Sequence, residues 1–190
     1  GPSLETVLTE QKPGPWPLDE ALALFKPIVE AFAYAHERGI VHRDVKPGNI
    51  LMAPGDGLGI PKVTDFGLAK ILSDTSSMTK TGSKMGTLPY MAPEQIRGKA
   101  LDGRTDIYGL GCSIYEMLTG KPPFTGATPE ELLNKHIKAQ VPHVEASNKN
   151  VTEDFGDLLR QLMAKKPADR PGTMESVVER MKRVRVYNVF

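Results

Sequence analysis

The sequence predicts a mainly helical protein of the α+β type that contains one small β-hairpin. Apolar residues recur every three or four positions in several long stretches, which is the pattern of amphipathic helices. Residues Arg104–Leu118 are apolar nearly all round, as expected of a helix in the centre of a core. Two short strand-like stretches flank a glycine-rich turn near residue 55. The length of 190 residues fits a single domain with a core of its own.

The composition argues against several classes of partner. A net charge of +1 and a pI near 8.0 give no field that favours nucleic acid. The one cysteine, Cys112, rules out an internal disulfide and fits a reducing compartment. The start of the chain lacks the pattern of a signal peptide, and the longest apolar helical run, Ile107–Leu118, is too short to span a bilayer. We therefore expect no nucleic-acid partner, a cytoplasmic location (or the cytoplasmic domain of a membrane-anchored protein), and membrane contact only through a segment outside this sequence.

The first third of the chain predicts two helical stretches. Residues 1–11 carry apolar residues at helical spacing, and Leu18–Arg38 is predicted to be a long helix that ends before Gly39. Pro27 removes one backbone hydrogen bond, so this stretch is either one kinked helix or two helices. One kinked helix is favoured because the apolar stripe continues in phase through the proline. The stripe consists of Leu18, Leu22, Phe25, Val29, Phe32 and His36.

The hairpin and the later helices follow from turn and capping signals. Ala53–Gly59 contains three glycines, a proline and an aspartate. We interpret it as a turn, because a phosphate-binding loop would need a strand before it and a helix after it. Thr128-Pro-Glu-Glu131 is a capping box with proline at the first helical position. The predicted strands are Ile50–Met52 and Pro61–Thr64, and the predicted later helices are Arg104–Leu118, Thr128–Ala139, Val151–Lys165 and Thr173–Arg185.

Two carboxylates and a carboxamide lie in one short region of the chain. Asp44 and Asn49 are five residues apart, and Asp65 follows. Oxygen ligands of this type suit Mg²⁺, which takes a few carboxylate or amide oxygens together with substrate phosphates. Lys46 could hold a phosphate oxygen, and Asp44 could then accept a proton from an attacking hydroxyl. The alternative for all three polar residues is ordinary turn formation and capping, which Asn and Asp favour.

These residues stand in motifs that resemble those of a known family. Three stretches carry the resemblance: His42-Arg43-Asp44, Asp65-Phe66-Gly67 and Ala92-Pro93-Glu94. Together with Lys46 and Asn49, they resemble the catalytic-loop, metal-loop and activation-segment motifs of eukaryotic-like protein kinases. Lys46 and Thr87 resemble the serine/threonine branch, and the activation segment resembles the bacterial type. The resemblance covers the whole sequence and implies a single domain at 1–190, with a catalytic loop at 42–49, a metal loop at 65–67 and an activation segment at 65–94.

The resemblance also implies a reaction and its residues. The reaction is transfer of the γ-phosphate of Mg-ATP to serine or threonine of protein substrates, with ATP and Mg²⁺ as cofactors. The implied catalytic residues are Asp44, Lys46 and Thr87; the implied nucleotide-binding residues are Lys46, Asn49, Leu51 and Asp65; and the implied metal ligands are Asn49 and Asp65. Thr87 is implied to bridge Asp44 and Lys46, the alternative being a hydroxyl bonded to its own backbone. For Leu51, implied to lie under the adenine, the alternative is ordinary core packing.

Regulatory and structural roles are implied for further residues. Arg43 is implied to pair with a phosphorylated activation segment through charge-assisted bonds, with Thr79 and Thr81 as the candidate phosphosites. The runners-up are Ser76, Ser77 and Ser83, and the alternative is an unmodified, solvated loop. His42 and Phe66 are implied to stack in a hydrophobic spine. Asp106 is implied to accept backbone donors near His42, and Glu94 with Arg170 to form a buried ion pair. Tyr108 departs from the tryptophan more usual at its position.

One large part of the family pattern is not found in the sequence. The glycine-rich loop, the strand lysine and the helix glutamate of the small N-terminal lobe are absent, so the fold class is the large C-terminal lobe alone. We expect the missing lobe to be a partner, and this piece by itself to be weakly active or inactive. The alternative function is a non-catalytic module that docks peptides on Thr87–Glu94 and the Thr128–Ala139 helix. A third hypothesis is a homodimer formed through uncovered apolar residues such as Leu51.

Overall fold

The computed structural model of the chain describes residues 1–57, 59–66 and 86–183. Within these ranges the predicted architecture is confirmed, with many helices and one two-stranded antiparallel sheet. The α-helices are α1 (Leu4–Thr6), α2 (Leu18–Glu37), α3 (Pro93–Ile96), α4 (Gly103–Thr119), α5 (Pro129–Lys138), α6 (Val144–Ser147), α7 (Glu153–Leu162) and α8 (Met174–Arg183), and the strands are β1 (Ile50–Ala53) and β2 (Ile60–Val63). A π-helical turn lies at Val7–Gln11, and 3₁₀ turns lie at Pro47–Asn49, Leu88–Tyr90 and Pro167–Asp169. No helix in the described part of the chain is long and apolar enough to cross a membrane.

Helix α2 runs without interruption through Pro27, so the prediction of a single helix is confirmed. Most of its apolar stripe is buried, and Phe25 and Phe32 expose no surface at all. The helix packs against α4, α8 and β2. The backbone leaves the helix through Gly39, whose φ of 71° lies in the left-handed region that glycine adopts at little cost. The chain then enters the region that carries the candidate catalytic residues.

The hairpin follows that region directly. Strand β1 pairs antiparallel with β2, with Ile50 opposite Val63 and Ala53 opposite Ile60. The turn between them depends on glycine at position 59. Its φ is 88°, and a Cβ there would lie only 2.3 Å from the carbonyl oxygen of Ala53. The hairpin therefore turns tightly and delivers residue 65 beside the end of the catalytic loop.

Helix α4 forms the centre of the core, as its all-round apolar pattern predicted. Most of its residues are buried, including Tyr108 and Cys112. Gly109 is needed for close packing, because a Cβ there would lie 2.7 Å from the carbonyl oxygen of Val45. The helix ends at Gly120, with a φ of 76°. The loop around Val45 thus lies directly on the most buried helix of the protein.

The last helices are confirmed: α5 and α7 lie inside their predicted bounds, and α8 is described as far as Arg183. Helix α7 begins only after Thr152, whose hydroxyl caps it by accepting from the N–H of Phe155. At α5 the hydroxyl of Thr128 accepts from the N–H of Glu131, as a capping box requires. The returning bond differs from the prediction. The Glu131 carboxylate accepts from the N–H of Ala127 instead, while its other oxygen pairs with a lysine one turn later.

Candidate active site

The candidate catalytic loop, residues 42–49, is held in place by the buried carboxylate of Asp106. One oxygen, Oδ2, accepts the backbone N–H of His42 at 2.8 Å, and the other, Oδ1, accepts that of Arg43 at 2.7 Å. Asp106 is 1% exposed. The backbone of Arg43 has a φ of 69°, a conformation that costs free energy for a residue with a side chain. The two charge-assisted bonds therefore fix the loop in a shape that it would not adopt by itself.

A third group binds the same carboxylate. Nε2 of His36, near the end of α2, lies 2.7 Å from Oδ2 of Asp106. Sequence reasoning missed this contact, because His36 was only the last member of an apolar stripe. The two residues are 70 positions apart in the chain, and neither carries a local signal for the other. His36 thus connects the end of α2 to the carboxylate that orders the catalytic loop.

The ring of His42 joins the candidate catalytic loop to the start of the candidate metal loop. Its Nδ1 accepts the backbone N–H of Asp44 at 3.1 Å, so Nε2 carries the proton and donates to the carbonyl oxygen of Thr64 at 2.7 Å. That carbonyl belongs to the peptide bond between Thr64 and Asp65. A single imidazole therefore contacts the backbone on both sides of the candidate site.

Asp44, Lys46, Asn49 and Thr87 form one hydrogen-bonded group. Nδ2 of Asn49 donates to the carbonyl oxygen of Asp44 at 2.7 Å and to its Oδ2 at 3.0 Å. The ammonium of Lys46 lies 3.2 Å from the same Oδ2 and donates to the Thr87 hydroxyl at 2.7 Å. The lysine thus lies between the carboxylate and the threonine, and among the described residues Thr87 contacts Lys46 rather than Asp44. The other carboxylate oxygen, Oδ1 of Asp44, is buried and has no hydrogen-bond partner among the described residues.

Asp65 lies beside Asn49 through its neighbour in the chain. The N–H and the hydroxyl of Thr64 both donate to the carbonyl oxygen of Asn49, at 2.9 and 3.2 Å. Asp65 follows at once, is exposed, and has a φ of 63°. Non-glycine residues in this region are uncommon and cluster at functional sites. Both left-handed non-glycine residues of the described chain, Arg43 and Asp65, belong to the candidate site.

The ring of Phe66 packs against the ring of His42. Their ring centroids are 4.9 Å apart in an edge-to-face arrangement, and Phe32 of α2 contacts both rings, at 5.8 Å and 5.9 Å. Sequence reasoning missed the contribution of Phe32 to this stack. Phe66 remains 37% exposed, as does Leu51 of β1. Leu51, implied to lie under the adenine, and Phe66, implied to belong to the spine, are therefore both partly exposed.

The oxygen atoms at this site fit a magnesium ion that is shared with a nucleotide. Both side-chain hydrogen bonds of Asn49 use Nδ2, so its Oδ1 is the atom that could coordinate a metal, and Asp65 is exposed. Across 1–57, 59–66 and 86–183, no three His, Cys, Asp or Glu side chains form a group that could hold a metal on their own. Mg²⁺ needs no such group, because it commonly uses one or two protein ligands plus substrate phosphates.

The segment after Thr87 is fixed to the core by a buried ion pair. The guanidinium of Arg170 donates to both oxygens of Glu94, at 2.7 and 2.8 Å, and both residues are 4% exposed. The hydroxyl of Thr105 donates to Glu94 at 3.0 Å. Arg170 also donates to the carbonyl oxygens of Ala164 and Arg104. This bidentate geometry satisfies the charges that burial would otherwise penalise.

Gln95 links this segment to the catalytic loop, and sequence reasoning missed it. Its Nε2 donates to the carbonyl oxygen of Arg43 at 2.8 Å, and its Oε1 accepts the N–H of Ala92 at 3.0 Å. The side chain of Arg43 is also notable. Its Nε is buried without a hydrogen-bond partner in the described ranges. The phosphosites implied to face it, Thr79 and Thr81, lie outside the described residues, as does Gly67.

A half-buried acid, Glu116, contacts Tyr90 of the same segment. The hydroxyl of Tyr90 donates to the Glu116 carboxylate, and burial raises the pKa of both groups above their usual range. Burial likewise raises the pKa of the Cys112 thiol, which keeps it protonated and unreactive. None of these three groups was singled out in the sequence for an acid–base role.

Comparison with known proteins identifies the family of the chain. The model of the protein kinase domain family matches residues 1–181. The chain therefore belongs to the protein kinase family, and its fold is kinase-like.

Three bacterial proteins are among its relatives. The chain is 36% identical over 176 residues to the serine/threonine-protein kinase PknB of Mycobacterium tuberculosis (strain ATCC 25618 / H37Rv), covering 92% of this chain and 27% of that protein. It is 37% identical over 185 residues to the probable serine/threonine-protein kinase CPE1738 of Clostridium perfringens (strain 13 / Type A), covering 97% of this chain and 26% of that one. The PknB of Mycobacterium leprae (strain TN) is 36% identical over 157 residues, 83% of this chain and 25% of that protein. The chain thus spans about a quarter of the length of the curated relatives it matches.

Proposed function

We propose that this chain is the large lobe of a bacterial serine/threonine protein kinase, and that the whole protein transfers the γ-phosphate of Mg-ATP to serine or threonine of protein substrates. The observation that carries the proposal is the position of the Lys46 ammonium between the Asp44 carboxylate and the Thr87 hydroxyl. A cation beside a carboxylate with one free oxygen suits a site where a hydroxyl loses its proton near a phosphate.

Asp44 is the proposed base. Its Oδ2 is engaged by Asn49 and Lys46, whereas its Oδ1 has no partner in the described part of the chain. A substrate hydroxyl that reached Oδ1 could donate its proton to it, because this oxygen accepts no other hydrogen bond from the described residues. The two bonds to Oδ2 meanwhile keep the carboxylate from rotating. Orientation of this kind is most of what a kinase site contributes, because the transferred phosphoryl group needs little covalent help.

Lys46, Asn49 and Asp65 are the proposed contacts to Mg-ATP. Asn49 and Asp65 would hold Mg²⁺ through oxygen, Lys46 would bind a phosphate oxygen, and Leu51 would lie against the base. When bound, Mg-ATP supplies the phosphoryl group, and its magnesium ion offsets part of the negative charge of the phosphates. The partly exposed surface of Leu51 supports an apolar contact that these residues leave uncovered.

We further propose that residues 1–190 act as one domain with low activity by itself. The sequence has no glycine-rich loop and no strand lysine ahead of the catalytic loop, and both serve to position and neutralise the phosphates. Serine/threonine proteins are the proposed substrates and a small lobe the proposed partner. The phosphorylation of Thr79 and Thr81, sensed by Arg43, is likewise a proposal. It is supported by the buried Nε of Arg43, which has no acceptor among the described residues.

The second candidate function is a peptide-docking module. It is favoured by one observation: the turn Leu88–Tyr90 and helix α3 both pack against α5. A preformed surface of this kind could bind peptides without catalysis. Dimerisation through Leu51 and Phe66, each 37% exposed, is a further hypothesis about the same uncovered face.

The test is phosphate transfer from labelled ATP to a serine or threonine peptide, measured with the whole protein and with this chain. The Asp44→Asn variant should lower kcat of the whole protein by about 10²–10⁴-fold. The matched control, Asp56→Asn in the exposed hairpin turn, should leave it unchanged. The chain alone should fall well below the usual range of about 1–100 per second. If peptide binds to the chain while neither protein transfers phosphate, the docking module is the better account.

A further inference from the structure

A tyrosine and a histidine form a buried pair behind the segment that follows Thr87. Tyr108 of α4 and His136 of α5 expose no surface. The Tyr108 hydroxyl lies 2.8 Å from Nδ1 of His136, and the ring centroids are 5.8 Å apart. A buried tyrosine hydroxyl needs a hydrogen-bond partner. Tyrosine in place of the more usual tryptophan puts a hydroxyl in the core where an indole N–H would be, and His136 satisfies that hydroxyl.

The surroundings of His136 keep its ring neutral. The Phe124 ring lies 5.0 Å from it edge-to-face, and the Lys165 ammonium lies 4.3 Å above that same phenyl ring. Burial, helped by the positive charge of Lys165, lowers the pKa of His136 to about 4. Burial raises the pKa of Tyr108, so its hydroxyl keeps its proton. The Tyr108 hydroxyl consequently donates to Nδ1, and the hydrogen of the neutral imidazole is on Nε2.

The hydrogen on Nε2 of His136 is on the side of the segment that follows Thr87. The carbonyl of Pro89 is near enough to the imidazole to favour its protonated form. Nε2 is buried and has no full hydrogen bond in the described ranges. Helix α5 packs against the turn Leu88–Tyr90 that contains Pro89. Thr87, which binds Lys46, immediately precedes this turn.

The pair is also connected to the buried ion pair. The guanidinium of Arg170 lies 4.9 Å from the centroid of the Tyr108 ring, over its face, and the same guanidinium binds Glu94. The turn Leu88–Tyr90 is therefore anchored at one end by Lys46 and at the other by Glu94. Tyr108 and His136 lie behind the middle of the turn.

We propose that Tyr108 and His136 act as a positioning pair that fixes the position of the turn Leu88–Tyr90. The position of the turn determines which substrate residues the enzyme prefers beside the phosphoacceptor. This inference rests on the proposed function, because it concerns the peptide side of that reaction. The two residues touch neither nucleotide nor reacting atoms, so they act through the turn. A displacement of about 1 Å at a reacting site can cost about 100-fold in rate, and the neighbouring Thr87 transmits any such displacement to Lys46.

The test uses the whole protein, with KM for peptide, KM for ATP and kcat measured separately. Tyr108→Phe removes only the hydroxyl, His136→Leu removes the partner at similar volume, and His136→Asn keeps an acceptor near the position of Nδ1. We expect Tyr108→Phe and His136→Leu each to raise KM for peptide by about tenfold, the effect of losing one buried hydrogen bond. KM for ATP should stay unchanged, and His136→Asn should recover most of the loss. The double variant Tyr108→Phe/His136→Leu should be no worse than either single one, because both remove the same bond.

Peptides that differ on either side of the acceptor provide the specificity readout. The ranking of these peptides should change in the two disruptive variants and not in Val177→Ala, which weakens the core in α8 without touching the turn. If the variants only lose melting temperature, with the ranking and KM for peptide as in Val177→Ala, the pair is merely structural and the inference is wrong. A wild-type protein that transfers no phosphate to any peptide would instead refute the proposed function, a result that this experiment separates from the first.

Discussion

The ion pair between Arg170 and Glu94 allows the sharpest prediction about stability. The side chain of Arg170 is fully buried, and its guanidinium makes two bonds of 2.7 and 2.8 Å to Glu94. Arg170→Ala removes both bonds. It also deletes the donors to the carbonyl oxygens of Ala164 and Arg104. The carboxylate of Glu94 would then stay buried with the hydroxyl of Thr105 as its remaining side-chain donor among the described residues. The expected result is a large loss of stability, because a buried charge is left uncompensated.

The magnitude follows from the cost of breaking one side of a buried pair, which is about 3–5 kcal/mol. For a protein of this size each kcal/mol lowers Tm by about 2–4 °C, so Arg170→Ala should lower Tm by about 6–20 °C. Lys99→Ala is the matched control, since Lys99 lies five residues after Glu94 and is exposed. Its Tm should change by less than about 2 °C, as surface substitutions stay within about 0.5 kcal/mol.

The assay is thermal and denaturant unfolding of the wild-type chain and of both variants. A third variant, Glu94→Gln with Arg170→Met, separates the pair's own contribution from the cost of leaving one charge alone. It should be more stable than Arg170→Ala, because no uncompensated charge remains buried. Equal melting temperatures for Arg170→Ala and Lys99→Ala would refute the reasoning.

Two further predictions concern the carboxylate behind the catalytic loop and the neutral histidine. Asp106→Asn should lower kcat of the whole protein by at least about tenfold and stability by about 1–3 kcal/mol. The reason is that an amide offers one acceptor to the three donors His36, His42 and Arg43; an unchanged kcat would contradict this role. Stability of the chain should fall as pH falls from about 6.5 to about 4, because the pKa of His136 is about 4 when folded and the unfolded chain binds the proton first. The loss should reach at most about 3 kcal/mol by denaturant titration, and a pH slope that is unaltered in His136→Leu would rule out this histidine as its source.

The sequence predicted the elements well where a local pattern specifies them. Helix α2 kept its phase through Pro27 and is a single helix, and Thr128 caps α5. The ends of the helices were predicted less accurately, because the choice of capping residue shifts the boundary of the helix. With Thr152 as its cap, α7 starts at Glu153, two residues after the predicted start at Val151. Local periodicity does not say which capping residue the helix will use.

The candidate site was predictable only in part, for a different reason. Motif residues such as Asp44 and Asn49 are close in sequence, so their resemblance to kinases could be recognised directly. His36 and Gln95 act across long sequence separations, 70 residues to Asp106 and 52 residues to Arg43. A histidine in an apolar stripe and a glutamine after Glu94 are ordinary in any helix. Their roles depend on tertiary contacts that a single sequence does not contain.

The central claim is that Asp44, Asn49 and Asp65 converge on one site for a metal and a phosphate. The most direct measurement is the broadening of backbone amide resonances of this chain by Mn²⁺ in the presence of ADP, which detects even weak occupancy. The account predicts that residues 44, 49 and 65 broaden together and that Asp65→Asn abolishes the effect at all three. Asp154, on the exposed face of α7, should be unaffected. Broadening of one of the three without the others, or of Asp154 as strongly as of them, would contradict the claim.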